Sequence, residues 1–300
     1  MKIGLMGSDT QVQNLINMLK TRNIECVDLN KIIKDKNENN FIKFYKFIDV
    51  IKDINIIYSI SNSFKLYSLF FVAKFFGVKI VNHWIGSDVL VAKKSKKNYI
   101  FNNLLVDINL ACSSHIKKEI KDLGIESYNI PIIPSNIKYV ISDMPNQHKV
   151  LVYLPENKEI FYGLEYIKKL SNKYNNIKFY IVANNNNKLI SSRNVEFKGN
   201  VSYNEMEKIY QEISILIRMP KHDGLSMMVL EALGKGKEVI YNYSFPGTHL
   251  AKDYKQLDEE FRKIITFPPE INYEGYNYVT ENLNHEIISR KLVNIFKGVL

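Results

Sequence analysis

Two carboxylates stand close together in an apolar part of the chain, and their surroundings indicate a binding site. Asp223 lies in a polar turn after an apolar run that predicts a buried strand, and Glu231 lies within an apolar helix predicted over 227–233. A carboxylate in such a helix is costly unless a hydrogen-bond donor compensates it. Because helical side chains lean toward the N-terminus, Glu231 can point back toward the turn that holds Asp223.

The start of this helix favours an anion. Ser226 is the predicted N-cap, and the unpaired backbone N–H groups of a helix start attract groups such as phosphate. Two acids beside the same pocket suggest recognition of a polyol, because carboxylates accept hydrogen bonds from vicinal hydroxyls. A nucleotide sugar would satisfy both features. A purely structural role, in which Glu231 pairs with a nearby Lys or Arg, explains the local chemistry equally well.

Composition bounds the class of protein. The 300 residues are 46% hydrophobic and 24% charged, which is typical of a globular protein with two domains of ordinary size. No apolar run reaches the roughly 18 residues that span a bilayer, and the first residues lack the apolar region of a signal peptide. Cys26 and Cys112 form neither a disulfide framework nor a metal-ligand spacing. We therefore expect a cytoplasmic protein.

The net charge of +10 is concentrated in the first half of the chain. Residues 1–145 contain 20 Lys and Arg against 13 Asp and Glu, an excess of 7. Such an excess suits an anionic membrane surface, a nucleic acid or an acidic substrate. No nucleic-acid recognition motif is visible, so we expect no nucleic-acid partner.

Apolar strands alternate with helical patterns along most of the chain, which predicts an α/β fold with parallel sheets. A proline-containing polar stretch over 131–148 separates two such series. We expect two tandem Rossmann-like domains over 1–145 and 146–270 that face a central cleft. A C-terminal helical segment over 271–300 should follow, with an amphipathic helix over 283–296.

The strongest resemblance to a known family lies within 194–248. There, a Gly-Leu-Ser turn and a Leu-Glu-Ala-Leu helix enclose Asp223 and Glu231, which are separated by seven residues. This order resembles the retaining, GT-B-fold glycosyltransferases of the family-4 type (glycosyl transferases group 1). Asp223 replaces the glutamate that is more usual at the first position.

The resemblance implies roles for these residues. Glu231 would hold the ribose hydroxyls of the donor, and Asp223 would contact the donor sugar as a catalytic residue. Gly224, Leu225 and Ser226 would offer backbone N–H groups to the donor. The family needs no metal, and no carboxylate cluster suited to Mg²⁺ is visible, so we expect no cofactor besides the nucleotide-diphosphate sugar.

The first half supplies the remaining candidates. His83 ends a predicted strand, where many members of the resembled family place a histidine facing the cleft, and Asp88 is its possible helper; a structural role for His83 is the alternative. Trp84 could stack on a sugar ring or belong to the core. The Gly7-Ser8-Asp9 turn resembles the family's glycine-rich loop, with Gly7 on the donor side and Ser8 and Asp9 on the acceptor side.

One departure concerns the diphosphate clamp. The family places an Arg and a Lys after the first strand of the second domain, but Tyr162 stands where we expect the Lys before Gly163. A departing diphosphate needs cationic or N–H stabilisation. Arg218, Lys221 and Lys158 are the candidate substitutes. Alternatively, Arg218 and Lys221 pair with Asp223.

The resemblance implies transfer of a sugar, of hexosyltransferase type, from a nucleotide-diphosphate donor to a hydroxyl of a cell-surface glycan or glycolipid, with retention of configuration. A non-catalytic accessory protein and a nucleotide-sugar epimerase are the alternatives. A helix predicted over 64–76 carries Lys65 and Lys74 among aromatic residues, and further lysines lie at 93, 94, 96 and 97. This pattern suits peripheral binding to the inner face of the plasma membrane. Otherwise, the aromatic residues belong to the core and the lysines are merely solvated.

Overall fold

The fold is taken from a computed structural model, which describes residues 1–61, 66–94, 96–134 and 137–300, with the backbone alone over 96–99. The chain forms two units, Met1–Asn136 together with Leu283–Leu300, and Ile137–Asn282. Each unit contains a sheet of six parallel strands with helices packed on it. The predicted α/β class is therefore confirmed, as two Rossmann-like units.

The first unit alternates strands and helices along the chain. Its sheet has the order β2-β1-β3-β4-β5-β6, and every pair of neighbours is parallel. The elements are β1 (Lys2–Met6), α1 (Asp9–Lys20), β2 (Glu25–Asp28), α2 (Asn30–Ile33), α3 (Asn40–Ile51), β3 (Ile56–Ile60), α4 (Tyr67–Phe75), β4 (Lys79–Trp84), α5 (Ser87–Lys94), α6 (Lys96–Leu105), β5 (Ile108–Ala111), α7 (Ser114–Lys121) and β6 (Tyr128–Asn129).

The second unit repeats this plan. Its sheet has the order β12-β11-β10-β7-β8-β9, again with parallel neighbours. The elements are β7 (Lys149–Tyr153), α8 (Leu164–Lys173), β8 (Lys178–Val182), β9 (Val195–Gly199), α9 (Tyr203–Glu212), β10 (Ile215–Arg218), α10 (Met227–Gly234), β11 (Glu238–Tyr241), β12 (His249–Leu250), α11 (Tyr254–Ile265) and α12 (Tyr273–Asn282).

Central strands of both sheets are buried on both faces. β3 reads Ile-Ile-Tyr-Ser-Ile and β10 reads Ile-Leu-Ile-Arg, and all of these residues are buried. Continuous apolar runs of this kind are typical of parallel strands covered by helices on each side. Burial of these apolar residues is therefore the main force that stabilises the two sheets. It also fixes the position of the strand ends, where polar residues gather.

The C-terminal helix α13 (His285–Val299) belongs to the first unit. The Nε of Arg22 at the end of α1 donates to the Oγ of Ser289 at 2.9 Å, and the Phe296 ring lies 5.6 Å from the Tyr58 ring. The amphipathic pattern over 283–296 predicts this helix. The residues that it contacts lie more than 200 positions earlier in the chain.

The boundaries between units differ from the expected ones. The division falls at 136/137 instead of 145/146, and the expected segment 271–300 splits at 282/283. Residues after 136 join the second unit because the buried Lys237 ammonium donates to the carbonyl of Asp143 at 2.8 Å and Ser142 N donates to the carbonyl of Lys235 at 3.3 Å. Long-range contacts of this kind leave no mark in the local sequence pattern.

Candidate functional site

Each sheet has one point at which the order of its strands reverses. In the second unit the reversal lies between β7 and β10, and in the first it lies between β1 and β3. Ligands of open α/β sheets bind in the crevice at the carboxyl ends of such a pair of strands. Tyr153 ends β7 and Arg218 ends β10, so both residues stand at the crevice of the second unit.

Arg218 forms a buried ion pair with Asp223. Its Nε donates to the Oδ2 of Asp223 at 2.9 Å, and only 8% of the arginine is exposed. The guanidinium lies over two aromatic rings, 5.2 Å from that of Tyr153 and 5.0 Å from that of Tyr162. Burial alone would lower the pKa of Arg218, but the Asp223 carboxylate outweighs it and the pKa is raised. The arginine therefore stays charged beside the two rings.

This arrangement explains the residue that departs from the resembled family. Tyr162, which stands where a clamp lysine is expected, supplies one of the two rings that cover Arg218. The interpretation in which Arg218 pairs with Asp223 is confirmed. Its charge is neutralised within the protein, so it is poorly suited to replace the clamp.

The turn after β10 is held by hydrogen bonds from its backbone N–H groups to side chains. The N–H of Asp223 donates to the hydroxyl of Tyr243 at 3.3 Å, and the N–H of Gly224 donates to the Oδ1 of Asp223 at 3.1 Å. The Gly224 N–H, predicted to serve the donor, is therefore engaged within the turn. Leu225 is half-buried, and Ser226 is buried at the N-cap of α10, where its side chain forms no capping hydrogen bond.

Glu231 lies in the second turn of α10 and is hydrogen-bonded to a tyrosine. The hydroxyl of Tyr210, at the end of α9, donates to the Oε2 of Glu231 at 2.9 Å. Burial raises the pKa of Glu231, the Tyr210 hydroxyl opposes this shift, and the nearby Glu207 adds to it. Lys235 pairs with Glu207 at 2.6 Å. The expected structural alternative, a direct pair between Glu231 and a Lys or Arg, is replaced by a tyrosine contact.

A cavity of about 340 Å³ opens beside this turn. Lys221, a predicted clamp residue, is among its lining residues and is itself exposed. Lys158 is exposed in the loop after β7 and does not line this cavity. The lining residues are Ile160, Gly163, Glu165, Tyr166, Met219, Pro220, Lys221, Asn242 and Lys252.

The first unit has a cavity of about 480 Å³ at its own reversal point. Gly7 lies there with φ +146°, and a Cβ on it would come within 2.7 Å of the carbonyl oxygen of Ile60, so glycine is required. Gly7 and Ser8 line the cavity, and Ser8 is the N-cap of α1. The predicted turn therefore lies at a crevice suited to a ligand.

Two residues that the sequence analysis did not predict hold this turn in place. The side-chain nitrogens of Asn30 and Lys34 each donate both to the carbonyl of Gly7 and to the Oδ1 of Asp9, over distances of 2.6–3.1 Å. The hydrogen bond from Lys34 lowers the pKa of the exposed Asp9. Their position in the sequence could have identified them, because both follow β2 at the same carboxyl edge of the sheet.

His83 is a buried residue of β4. It is 0% exposed, its Nδ1 lies 2.5 Å from the hydroxyl of Tyr58, and burial lowers its pKa to about 3. A neutral imidazole without exposed surface cannot contact a substrate in this conformation. The geometry thus favours the structural alternative over the predicted catalytic role.

Trp84 and Asp88 are also structural. Trp84 is 0% exposed and its Nε1 donates to the Oδ1 of Asn109 at 2.9 Å, so the structure favours the core position over stacking on a sugar ring. Asp88 is 3% exposed, and its carboxylate accepts hydrogen bonds from the backbone N–H groups of Ile85, Gly86 and Val89. Both side chains stabilise the end of β4 and the start of α5, and neither presents an accessible surface to an acceptor.

Neither a metal site nor a membrane-spanning helix is found within the described part of the chain. Its His, Cys, Asp and Glu side chains form no group of three or more that could hold a metal ion. None of its helices is both long and apolar enough to cross a bilayer.

These geometries define a GT-B fold of two Rossmann-like units, and comparison with solved structures shows the same. No family model and no curated protein matches the sequence. The lipopolysaccharide outer core galactosyltransferase WaaB matches with a TM-score of 0.73 and 16% identity over 100% of both chains. Sucrose-phosphate synthase from Thermosynechococcus elongatus matches with a TM-score of 0.70 and 11% identity, over 99% of this chain and 98% of that one.

A longer protein also shares the fold. A TarM variant from S. aureus, in complex with UDP and alpha-GlcNAc-glycerol, matches with a TM-score of 0.66 and 15% identity over 86% of this chain. The matched region spans only 59% of that protein. The UDP-GlcNAc 2-epimerase from Neisseria meningitidis matches less well, with a TM-score of 0.56 and 14% identity, over 98% of this chain and 100% of that one. At these identities the likeness concerns the fold.

Proposed function

We propose that this protein is a glycosyltransferase that moves a sugar from a nucleotide-diphosphate donor to a hydroxyl acceptor, with retention of configuration. The observation that carries the proposal is the placement of Asp223 and Glu231 on one strand–turn–helix unit. The unit begins at the carboxyl end of β10, at the reversal point of the second sheet. The similar folds of WaaB and sucrose-phosphate synthase support it.

We assign the residues the roles that the resemblance implies. Glu231 accepts hydrogen bonds from the ribose hydroxyls, and Asp223, held by Arg218, contacts the donor sugar. The crevice of the first unit takes the acceptor at Ser8, and Asp9, the next residue, orients a hydroxyl. We propose a hexose as the transferred sugar, a glycan or glycolipid as the acceptor, and no metal or cofactor.

Two other functions make different predictions. A non-catalytic accessory protein is favoured by the neutralised Arg218, and it would bind no nucleotide or bind one without turning over the sugar. A nucleotide-sugar epimerase is favoured by the fold of the Neisseria enzyme, and it would interconvert two nucleotide sugars without releasing the nucleotide. The product therefore discriminates among the three functions.

A donor panel tests the proposal. Purified protein is incubated with the UDP, GDP and ADP forms of several sugars, with and without a mixture of hydroxyl acceptors, and the released nucleoside diphosphate is measured. We expect one base to raise the melting temperature and its sugar form to release nucleotide faster with acceptor present. Binding without release would identify an accessory protein and epimer formation an epimerase, and the absence of any binding would refute both the transferase and the epimerase.

We also propose that the first unit binds an anionic membrane surface. Phe41 and Tyr45 on α3 and Phe71 and Phe75 on α4 are 63–85% exposed, whereas Phe70 is buried. The aromatic residues thus divide between core and surface. Exposed aromatic groups on a unit with an excess of Lys and Arg suit a lipid interface. Lys74 pairs with Asp107 and Lys93 with Glu119, while Lys65 and the side chains of Lys96 and Lys97 lie outside the described residues.

We predict that the protein sediments with vesicles containing phosphatidylserine at low salt and that high salt releases it, because the charge contribution is screened. Replacing Phe71 and Phe75 with serine should reduce the bound fraction several-fold. Phe267→Ser is the matched control, since Phe267 is 67% exposed in the second unit. Equal sedimentation of both variants, or none for the unmodified protein, would contradict the membrane proposal.

A further inference from the structure

The cavity of about 340 Å³ beside the turn after β10 is built by four separate segments of the second unit. Met219, Pro220 and Lys221 follow β10, and Asn242 follows β11. Gly163 precedes α8, and Lys252 follows β12. The cavity therefore lies at the carboxyl edge of the sheet. Its lining residue Lys221 precedes Asp223 by two positions in the chain.

Two lysines from different loops line this cavity. The backbone N–H of Lys221 donates to the carbonyl of Phe161 at 2.7 Å, which fixes the loop while the side chain stays exposed. The ammonium of Lys252 donates to the carbonyl of Asn242 at 2.9 Å and lies 5.5 Å from the Tyr243 ring. Within the described ranges, no acidic side chain pairs with either lysine, so their charges are available to a ligand.

The remaining polar lining includes two hydrogen-bond acceptors, which do not themselves favour an anion. The Nδ2 of Asn242 donates to the carbonyl of Pro220 at 2.5 Å, and its buried Oδ1 has no hydrogen-bond partner among the described residues. That oxygen would accept a hydrogen bond from a hydroxyl or a water. The one acidic lining residue, Glu165, lies 3.4 Å from the ammonium of Lys168 on its own helix.

Gly163 keeps the cavity wall in place. Its φ is +88°, and a Cβ on it would come within 2.8 Å of the carbonyl oxygen of Met219. Only glycine allows the start of α8 to approach the end of β10 so closely. The two segments that frame the cavity are thus held together by a backbone contact.

We propose that this cavity binds the phosphates of the nucleotide donor, with Lys221 and Lys252 as the cations that replace the missing clamp. The inference rests on the proposed function for the identity of the ligand. A diphosphate leaving group carries about two negative charges, which two ammonium groups balance. Arg218 cannot serve because Asp223 neutralises it. Lys252 lies outside the acid-pair signature, and its role follows from the cavity alone.

The test measures binding of inorganic pyrophosphate and of UDP, GDP and ADP by calorimetry to the full chain. We expect Lys221→Ala and Lys252→Ala each to weaken binding about 10-fold and the double variant about 100-fold, because each removes one charge-assisted contact. Lysine-to-arginine replacement at both positions should restore most of the affinity. Lys255→Ala, on the exposed side of α11, is the control and should bind like the unmodified protein.

The outcomes separate this inference from the proposed function. If a nucleoside diphosphate binds the double variant as tightly as the unmodified protein, the phosphates lie elsewhere and the inference is overturned while the transferase proposal stands. If pyrophosphate binds in a lysine-dependent manner but no nucleotide does, the anion site is supported and the transferase proposal fails. Absence of both kinds of binding would overturn both.

Discussion

Replacing Arg218 with methionine is expected to destabilise the protein by about 3–5 kcal/mol, because it removes the guanidinium charge that balances the Asp223 carboxylate. The two side chains are 9% and 14% exposed, so water cannot easily compensate the lost charge. Methionine has a similar length and still packs beside the rings of Tyr153 and Tyr162. The measurement is the free energy of unfolding in urea at neutral pH.

Two further variants isolate the charge from the packing. Combining Arg218→Met with Asp223→Asn removes both charges and should restore most of the lost stability, because a buried pair contributes little net stability compared with neutral partners. Lys173→Met is the control for a surface pair, since Lys173 is half exposed and its bond to Asp258 should contribute little to stability. A loss below about 1 kcal/mol for Arg218→Met alone would show that the pair is not needed to hold the turn.

Replacing Glu231 with alanine is expected to weaken binding of the preferred nucleoside diphosphate about 100-fold, because two charge-assisted hydrogen bonds to the ribose are lost. A nucleotide that lacks both ribose hydroxyls should bind the unmodified protein as weakly as the normal nucleotide binds the variant. The variant should no longer distinguish the two nucleotides. Calorimetric titration measures all four affinities.

The control for this variant is Glu270→Ala, an exposed residue of the same unit that should leave the affinities unchanged. If Glu231→Ala binds the normal nucleotide as tightly as the unmodified protein does, Glu231 has only a structural role. Its contact with Tyr210 provides a finer test, because Tyr210→Phe removes the donor at 2.9 Å and leaves the carboxylate in place. That variant should show an intermediate loss of affinity.

The direction of the Glu231 pKa shift predicts how pH acts. The proposed contact with the ribose uses the ionised carboxylate, so we expect affinity to fall as pH decreases from neutrality toward the raised pKa. Stability has the opposite dependence. A carboxyl whose pKa is higher in the folded state contributes stability below its unfolded value of about 4.3, and this contribution is lost as pH rises through the folded pKa. Glu231→Gln should remove both dependences.

Local sequence pattern was sufficient for most of the fold. Strands expected over 2–7, 56–60 and 150–154 are observed at Lys2–Met6, Ile56–Ile60 and Lys149–Tyr153. The helix expected over 204–212 is observed at Tyr203–Glu212, where Ser202 and Glu205 form a capping box. Runs of buried residues and caps act over a few neighbouring positions, so the sequence records them directly.

The candidate site was predictable only in part. The spacing of Asp223 and Glu231 and the conformation of Gly7 follow from the residue types, since a turn, a helix and a positive φ are local properties. His83 and Trp84 could not be placed in this way. Both lie at the end of a predicted β-strand. The local pattern fits a strand end that faces a ligand as well as a strand end in the core. Their neighbours Tyr58 and Asn109, in the adjacent strands β3 and β5, place both in the core.

The alternation of strands and helices and the strand–turn–helix unit that carries the two acids follow from the sequence alone. Which charges are free depends on the packing of distant segments. Arg218 packs beside Tyr153 and Tyr162 and pairs with Asp223, whereas Lys221 and Lys252, 31 positions apart, line one cavity without an acidic partner among the described residues. The reason is physical: periodicity fixes an element and its buried face. The partner of a side chain depends on how distant segments pack against each other.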